Sequence, residues 1–134
     1  MQRCKYLDEL GIPIERQGTN FVFDDDSRHE AWAKEREEYG FDERETWCMD
    51  KFFVEWIYTR IKMYVDVCCV DLDFHKFQYK GEKLTQKQMI DKILSLAEEA
   101  LLLPGYTFED EDKFMENARE ICDIWKIIMP AMWW

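Results

Sequence analysis

The sequence predicts a mainly α-helical fold, a compact bundle of about four helices around a central helix at about residues 42–69, with a small β-hairpin near 70–84. Apolar residues recur at helical spacing in several long segments, capping residues precede those segments, and strand-like alternation is confined to one stretch. At 134 residues, of which 47% are hydrophobic, the chain is predicted to be a single domain spanning 1–134.

The first residues predict an acidic, partly irregular N-terminal arm (1–26), because Gly11 and Pro13 interrupt its one helical stretch. Ser27, with Glu30 three residues later, has the spacing of a capping box and predicts the start of the next helix. That helix is mostly charged, so a peripheral position is expected, and Gly40 ends it.

The stretch "WCMDKFFVEWIYTRIKMYV" predicts the central helix, because apolar residues occupy nearly every side of it. Asp42 is its predicted N-cap. Asp50 and Arg60 fall on the apolar side, so both are predicted to be buried polar residues. Each then needs its own partner, because an unpaired buried charge costs several kcal/mol. The alternative is that Asp50 and Arg60 line a small pocket.

After this helix, alternating residues turn at Gly81 and predict the hairpin. Thr85, with Gln88 in the box position, predicts the start of a helix that ends before Pro104. The last helix begins near Thr107 or Glu109. The terminal tryptophans either fold over the core or form an exposed anchor for a partner or a second copy in a homodimer.

The net charge of −11 argues against direct binding of nucleic acid, because phosphate contacts need Lys and Arg. Residues 1–45 hold 13 acidic and 7 basic residues, a net charge of −6. An acidic surface suits a basic protein partner and resembles a row of phosphates. The predicted partner-contact residues are Asp24, Asp25, Asp26, Glu35, Glu37, Glu38, Asp42, Glu43, Trp133 and Trp134.

No catalytic motif, phosphate loop or metal-ligand spacing is present in the sequence, so neither an enzyme nor a metal or cofactor site is predicted. The alternation of Asp71, Asp73 and His75 indicates a solvated edge more than a metal site. Five cysteines without paired spacing predict reduced thiols in a cytoplasm, with Cys48, Cys68 and Cys122 in the core. The longest apolar run is far shorter than the ~20 residues of a membrane span.

The stretch "YGFDERETWCMDKFFVEWIYTRIKMY" resembles the Trp-x-x-Asp helix of small proteins encoded by phages and prophages of Firmicutes-type bacteria. "DFHKFQYKGEKLTQKQMIDKI" is similar to a segment found in the same setting, so the resemblance covers about residues 39–95. It implies an accessory protein acting in the cytoplasm of a bacterial host cell, with Trp47 and Asp50 as a structural pair. It carries no assigned activity.

These observations predict an acidic interaction protein that inhibits a host nucleic-acid-binding defence machine, as an anti-CRISPR protein does. Its partner would be a basic host protein such as a nucleic-acid-binding nuclease complex. The first alternative is a phage structural or assembly protein that associates through Trp133 and Trp134. The second is a protein that binds a small molecule such as a nucleotide near Asp50 and Arg60.

Overall fold

The computed structural model describes residues 1–133 and confirms the predicted mainly α-helical fold with a small hairpin. The elements are α1 (Lys5–Leu10), α2 (His29–Tyr39), α3 (Met49–Val67), β1 (Lys76–Tyr79), β2 (Glu82–Thr85), α4 (Gln86–Leu102) and α5 (Phe108–Ile128). Short 3-10 turns cover Ile14–Arg16, Glu43–Thr46 and Met129–Ala131. The chain forms two compact units, Met1–Glu55 and Trp56–Trp134, and the single-domain organisation stays a prediction.

The start of the first unit is folded around the buried amide of Gln17. Its Oε1 accepts the backbone N–H of Cys4 at 2.8 Å, and its Nε2 donates to the carbonyl of Ile12 at 3.0 Å. α1 ends at Gly11, whose φ of 91° is the left-handed conformation that terminates many helices. Leu7 and Ile12 are buried, so the segment predicted as an arm contributes side chains to a core.

α2 is anchored by Trp32, which is completely buried. The helix begins at His29, and the expected cap at Ser27 is wrong, because Arg28 holds the N-cap position and makes no side-chain cap. Instead, Asp26 accepts the backbone N–H of Arg28 at 2.9 Å and closes the turn that precedes the helix. Gly40 ends the helix as predicted, in a left-handed conformation.

α3 confirms the predicted helix but differs from the expected burial. Trp56 and Met63 are 47% and 56% exposed, whereas the charged residues Lys51 and Glu55 are half-buried. In the first unit Glu55 Oε1 accepts the backbone N–H of Gly18 at 2.7 Å, and Lys51 Nζ donates to the Gly18 carbonyl at 3.1 Å. The polar side of the helix therefore packs against backbone.

The second unit contains the hairpin, in which β1 pairs antiparallel with β2 and Tyr79 lies opposite Glu82. Lys80 and Gly81 both have positive φ, 49° and 79°, as a two-residue hairpin turn requires. Thr85 accepts the backbone N–H of Gln88 at 3.1 Å and the Gln88 side chain accepts in return, so the predicted capping box is confirmed.

Packing of α4 against α5 forms most of the core of the second unit. Thr107 caps α5 by accepting from the backbone N–H of Asp110 at 3.1 Å. The one buried polar side chain inside α5, Asn117, donates to the carbonyl of Leu96 at 3.1 Å. The fully buried residues of these two helices are Met89, Ile90, Ile93, Ala97, Ile121, Ile124 and Ile128.

Candidate functional site

The acidic surface predicted from the sequence lies in the first unit, which holds 15 acidic and 8 basic residues and a net charge of −7. Asp42 is not available to a partner, because its side chain is only 1% exposed. Arg44 donates to both of its oxygens, at 2.9 and 2.8 Å, and Arg36 adds a third bond at 2.6 Å. The predicted contact at Asp42 is therefore corrected to an internal ion pair.

These hydrogen bonds set the electrostatics of Asp42. The guanidinium of Arg44, followed by that of Arg36, lowers the pKa of the Asp42 carboxyl to about 2. Asp42 also accepts the backbone N–H of Arg44 at 3.0 Å, so it caps the 3-10 turn that precedes α3. The sequence correctly predicted that Asp42 is an N-cap. It assigned the cap to the long central helix and also counted Asp42 among the partner contacts, and both of these assignments differ from the structure.

Three more of the predicted contact residues are engaged inside the unit. Asp26 holds Arg28 through bonds of 3.0 and 2.9 Å, which lower the pKa of the Asp26 carboxyl to about 2. Glu43 accepts the indole N–H of Trp32 at 2.9 Å. Glu35 accepts the backbone N–H of Glu43 at 2.8 Å. These carboxylates order the fold around α2.

An arginine–tryptophan stack joins those interactions. The guanidinium of Arg44 lies 4.4 Å from the ring centroid of Trp32, and that of Arg28 lies 4.9 Å from it. Arg28 is also 5.3 Å from the ring of Trp47, which packs edge-on against Trp32. Cations over indole faces gain electrostatic energy from the ring quadrupole. Trp47 is thus held by the stack. Asp50, which was predicted to pair with Trp47, accepts the backbone N–H of the neighbouring Lys51.

The remaining predicted acids are exposed and have no hydrogen-bond or ion-pair partner among residues 1–133: Asp24, Asp25, Glu37 and Glu38. Asp24 and Asp25 follow Phe23, which is 82% exposed, and precede α2. Glu37 and Glu38 precede Tyr39, which is 63% exposed, at the end of α2. We call these six residues the acidic–aromatic surface. The exposure of Phe23 and Tyr39 was not predicted from the sequence.

Asp50 and Arg60 are both exposed, which corrects their prediction as buried polar residues. Asp50 lies in the first turn of α3, where helix ends are open to water. Arg60 lies on the same side of α3 as the exposed Trp56, 5.7 Å from its ring centroid. Periodicity identified a polar and an apolar side of the helix but could not show which side other segments would cover.

The second unit has an open depression of about 210 Å³ lined by Val70, Asp71, Phe74, His75, Gln86, Ala131 and Trp133. Trp133, predicted as a partner contact, is 69% exposed, and Trp134 lies outside the described residues. Neither Asp50 nor Arg60 lines this depression. The sequence did not single out Gln86 as a functional residue. Gln86 directly follows the Thr85 cap, and polar residues are common in the first turn of a helix.

Asp71, Asp73 and His75 do not share a strand face, because residues 72–74 form a turn before β1. Across the described part of the chain, no three His, Cys, Asp or Glu side chains come together as a metal-binding group. Among the helices of residues 1–133, none has the length and apolar character needed to cross a membrane.

Comparison of the chain with protein-family profiles, curated proteins and solved structures gives no match.

Proposed function

We propose that this protein is an acidic interaction protein that binds a basic, nucleic-acid-binding surface of a host protein and thereby inhibits it, in the manner of an anti-CRISPR protein. The observation that supports this most directly is the acidic–aromatic surface. Its four carboxylates have no partner in the described chain, and they are next in sequence to two exposed aromatic residues, Phe23 before α2 and Tyr39 at its end. The phage setting implied by the sequence resemblance is part of the same proposal.

The surface is suited to a cationic partner because its carboxylates keep all of their acceptor sites. A carboxylate such as Asp42 already uses its oxygens on two arginines and offers little to a third. Asp24, Asp25, Glu37 and Glu38 instead gain charge-assisted hydrogen bonds when Lys or Arg side chains approach. The excess negative charge of the first unit raises the association rate with a positively charged protein.

Phe23 and Tyr39 supply binding energy that ion pairs alone do not provide. Exposed ion pairs each contribute little, typically about 0–1 kcal/mol, whereas aromatic side chains buried at an interface contribute most of the binding energy. Inhibition follows from competition, because a lysine or arginine that pairs with these carboxylates is no longer free to contact phosphate.

The test is capture from a bacterial host lysate at low and high salt with a charge-neutralised variant and a matched control. The variant carries Asp24→Asn, Asp25→Asn, Glu37→Gln and Glu38→Gln. The control removes four exposed charges from the second unit through Glu109→Gln, Glu111→Gln, Asp112→Asn and Glu116→Gln. Both variants change the net charge equally, so nonspecific electrostatic effects cancel in the comparison.

We expect the wild type and the control to retain one basic protein at low salt, and the variant to lose it. The captured protein should bind its nucleic acid less tightly when the wild type is present. Equal capture by the variant and the control would remove the acidic–aromatic surface from the proposal. A captured protein that still binds nucleic acid normally would contradict inhibition.

The alternative of an assembly protein is supported by one observation, the exposure of Trp133. Sedimentation of the wild type and of Trp133→Ser over a range of concentrations tests it. Self-association of the wild type that is lost in Trp133→Ser supports assembly. A monomer at all concentrations contradicts it.

A further inference from the structure

One side of α3 is largely apolar and yet open to solvent. Its residues follow each other at alternating steps of four and three and form a straight stripe along the helix, the α3 stripe: Met49, Phe53, Trp56, Arg60, Met63 and Val67. Phe53 is half-buried and the other five are exposed, Met49 by 68% and Met63 by 56%. This spacing is that of the seam between two helices of a coiled coil. Contiguous exposed apolar surface marks an interaction site, so a helix is the expected partner of this side of α3.

Two charged residues accompany the stripe, Arg60 within it and Asp50 on its flank. They are ten residues apart, so Arg60 lies within about 80° of Asp50 around the helix axis but about 15 Å farther along it. Oδ1 of Asp50 accepts the backbone N–H of Lys51 at 2.8 Å, and Arg60 donates to the hydroxyl of Thr59 at 3.0 Å. Neither side chain forms an ion pair within residues 1–133. Each is therefore open to a partner of opposite charge.

The positions of Asp50 and Arg60 are complementary between two copies of the chain. In an antiparallel pair of α3 helices with its two-fold axis at Glu55, midway between them, Asp50 of each copy is level with Arg60 of the other. The same flanks of the two helices meet in such a pair, so the charges lie on the same side as well as at the same level. A parallel pair would instead place the two Arg60 side chains at one level. The charges thus select the antiparallel arrangement.

The centre of this arrangement is aromatic. Phe53 and Trp56 lie within two residues of the two-fold axis, so their rings in one copy meet those of the other in the middle of the interface. Trp56 is 47% exposed and is available for such a contact. Large aromatic residues at the centre of an interface contribute most of its binding energy.

We propose that α3 binds a second copy of the chain as an antiparallel pair, through the α3 stripe and two reciprocal ion pairs between Asp50 and Arg60. A second copy supplies both charges in the required register. A basic partner, as proposed for the acidic–aromatic surface, would meet Arg60 with like charge, so this interface is distinct from that surface and does not depend on it.

The overlap of the two helices determines how strong the dimer is. In this register the overlap covers the stripe from Met49 to Arg60, roughly 18 Å along the axis, and Met63 and Val67 extend past it. Such a contact is smaller than the standard interface of about 800 Å² per partner. The dimer is therefore expected to be reversible, with a dissociation constant in the micromolar range.

The test is analytical ultracentrifugation at physiological salt of the wild type and two charge-reversed variants, Arg60→Glu and Asp50→Lys. Each variant alone replaces both ion pairs with two like-charge contacts, so we expect its self-association to be weakened by a factor of at least about a hundred. An equimolar mixture of the two variants should associate as the wild type does. In the mixed dimer one Asp50–Arg60 pair is native and the other has its two charges exchanged.

Recovery in the mixture is expected only if the partner is a second copy in this register. A mixture that associates no more than its separate components would overturn the proposal. A wild type that is monomeric at all concentrations would overturn it as well, and would leave the α3 stripe to a different protein.

Matched controls separate the contact from the net charge. Arg119→Glu and Asp112→Lys make the same charge changes at exposed positions of α5 and should self-associate as the wild type does. Equal losses in the controls and in the α3 variants would contradict the assigned contact. Circular dichroism of each variant checks that it is folded.

Two tryptophan variants distinguish this interface from association through the C-terminus. We expect Trp56→Ala to weaken the dimer by a factor of about ten or more, because its ring lies beside the two-fold axis. Trp133→Ser should have no effect, since Trp133 lies outside α3. The opposite result, a dimer that depends on Trp133 and not on Trp56, would overturn the proposal.

Discussion

Asp42 and Arg44 form a bidentate ion pair across a single intervening residue, with Nε–Oδ1 and Nη2–Oδ2 distances of 2.9 and 2.8 Å. Both side chains are less than a tenth exposed. The guanidinium also covers the face of Trp32, so one pair connects the 3-10 turn that precedes α3 to the buried tryptophan of α2. Removing one partner would leave a buried charge without compensation.

We therefore predict that Asp42→Ala destabilises the protein by about 3–5 kcal/mol, the usual cost of breaking a buried ion pair from one side. Urea denaturation followed by fluorescence measures the free energy of unfolding. The matched control is Asp26→Ala, which breaks the pair with Arg28 at a more accessible site, where the side chains are 20% and 53% exposed. Its effect should be much smaller, and similar losses in the two variants would contradict the assigned burial.

The lowered pKa of the Asp42 carboxyl predicts that the stability of the protein depends on pH. The folded pKa of Asp42 is about 2, against an ordinary value of 3.8, because Arg44 and Arg36 hydrogen-bond to the charged form. The folded chain thus binds this proton more weakly than the unfolded chain. Its contribution is complete above about pH 4 and is lost as the pH falls toward about 2, and it amounts to about 2 kcal/mol.

The difference in unfolding free energy between the wild type and Asp42→Ala should therefore narrow by about 2 kcal/mol on acidification over this pH range. If the difference between the two proteins stays constant down to about pH 2, Asp42 does not carry this linkage.

Arg60→Ala should change the free energy of unfolding by less than about 0.5 kcal/mol, because an exposed side chain away from special features contributes little. Its contact with the exposed ring of Trp56 adds only a small cation–π term. Thermal melting of the variant and the wild type measures this. A loss of several kcal/mol would restore the buried position that the sequence had suggested.

The capping box at α4 predicts that Thr85→Ala costs about 1 kcal/mol, since it removes the acceptor for the Gln88 N–H. Ser95→Ala, at an exposed position inside the same helix, is the matched control and should be nearly neutral. Chemical denaturation measures the free energy of unfolding of both variants. Equal losses of stability would show that α4 is sensitive to any substitution and that the cap makes no particular contribution.

Thiol reactivity should divide the five cysteines into two groups. Cys48, Cys69 and Cys122 are exposed and Cys4 and Cys68 are half-buried, and all five are free thiols. A colorimetric thiol reagent at neutral pH should therefore label three thiols rapidly and two slowly. Rapid labelling of all five, or protection of Cys122, would disagree with these positions. The exposure of Cys48 and Cys122 corrects their prediction as core residues.

Local chemistry made the fold predictable. The cap at Thr85 and the turn at Gly81 depend on residues within a few positions, so sequence spacing located them correctly. For the last helix, spacing left Thr107 and Glu109 as alternative starts, and the N-cap is Thr107. The burial of α3 depends on Gly18 meeting Lys51 and Glu55, more than thirty positions away. Periodicity carries no information about such distant pairings, which is why Asp50 and Arg60 were misplaced.

The candidate surface was predictable only in outline, for the same reason. Composition identified the acidic blocks, but only coordinates separate Asp42, enclosed by Arg44, from Asp24 in open water. Gln86 gave no signal in the sequence, because its Oε1 is distinctive only in having no hydrogen-bond partner among residues 1–133. That property belongs to the packed chain and not to the residue type.

The first unit has both paired and unpaired carboxylates, and the two kinds affect the association rate and the lifetime of a complex differently. The rate of encounter follows the summed charge, to which paired and unpaired groups contribute alike. The lifetime of the complex follows the few side chains that touch, which in the proposed complex would be Asp24, Asp25, Glu37 and Glu38. Adding salt should therefore slow association, whereas substitutions confined to these four should mainly speed dissociation.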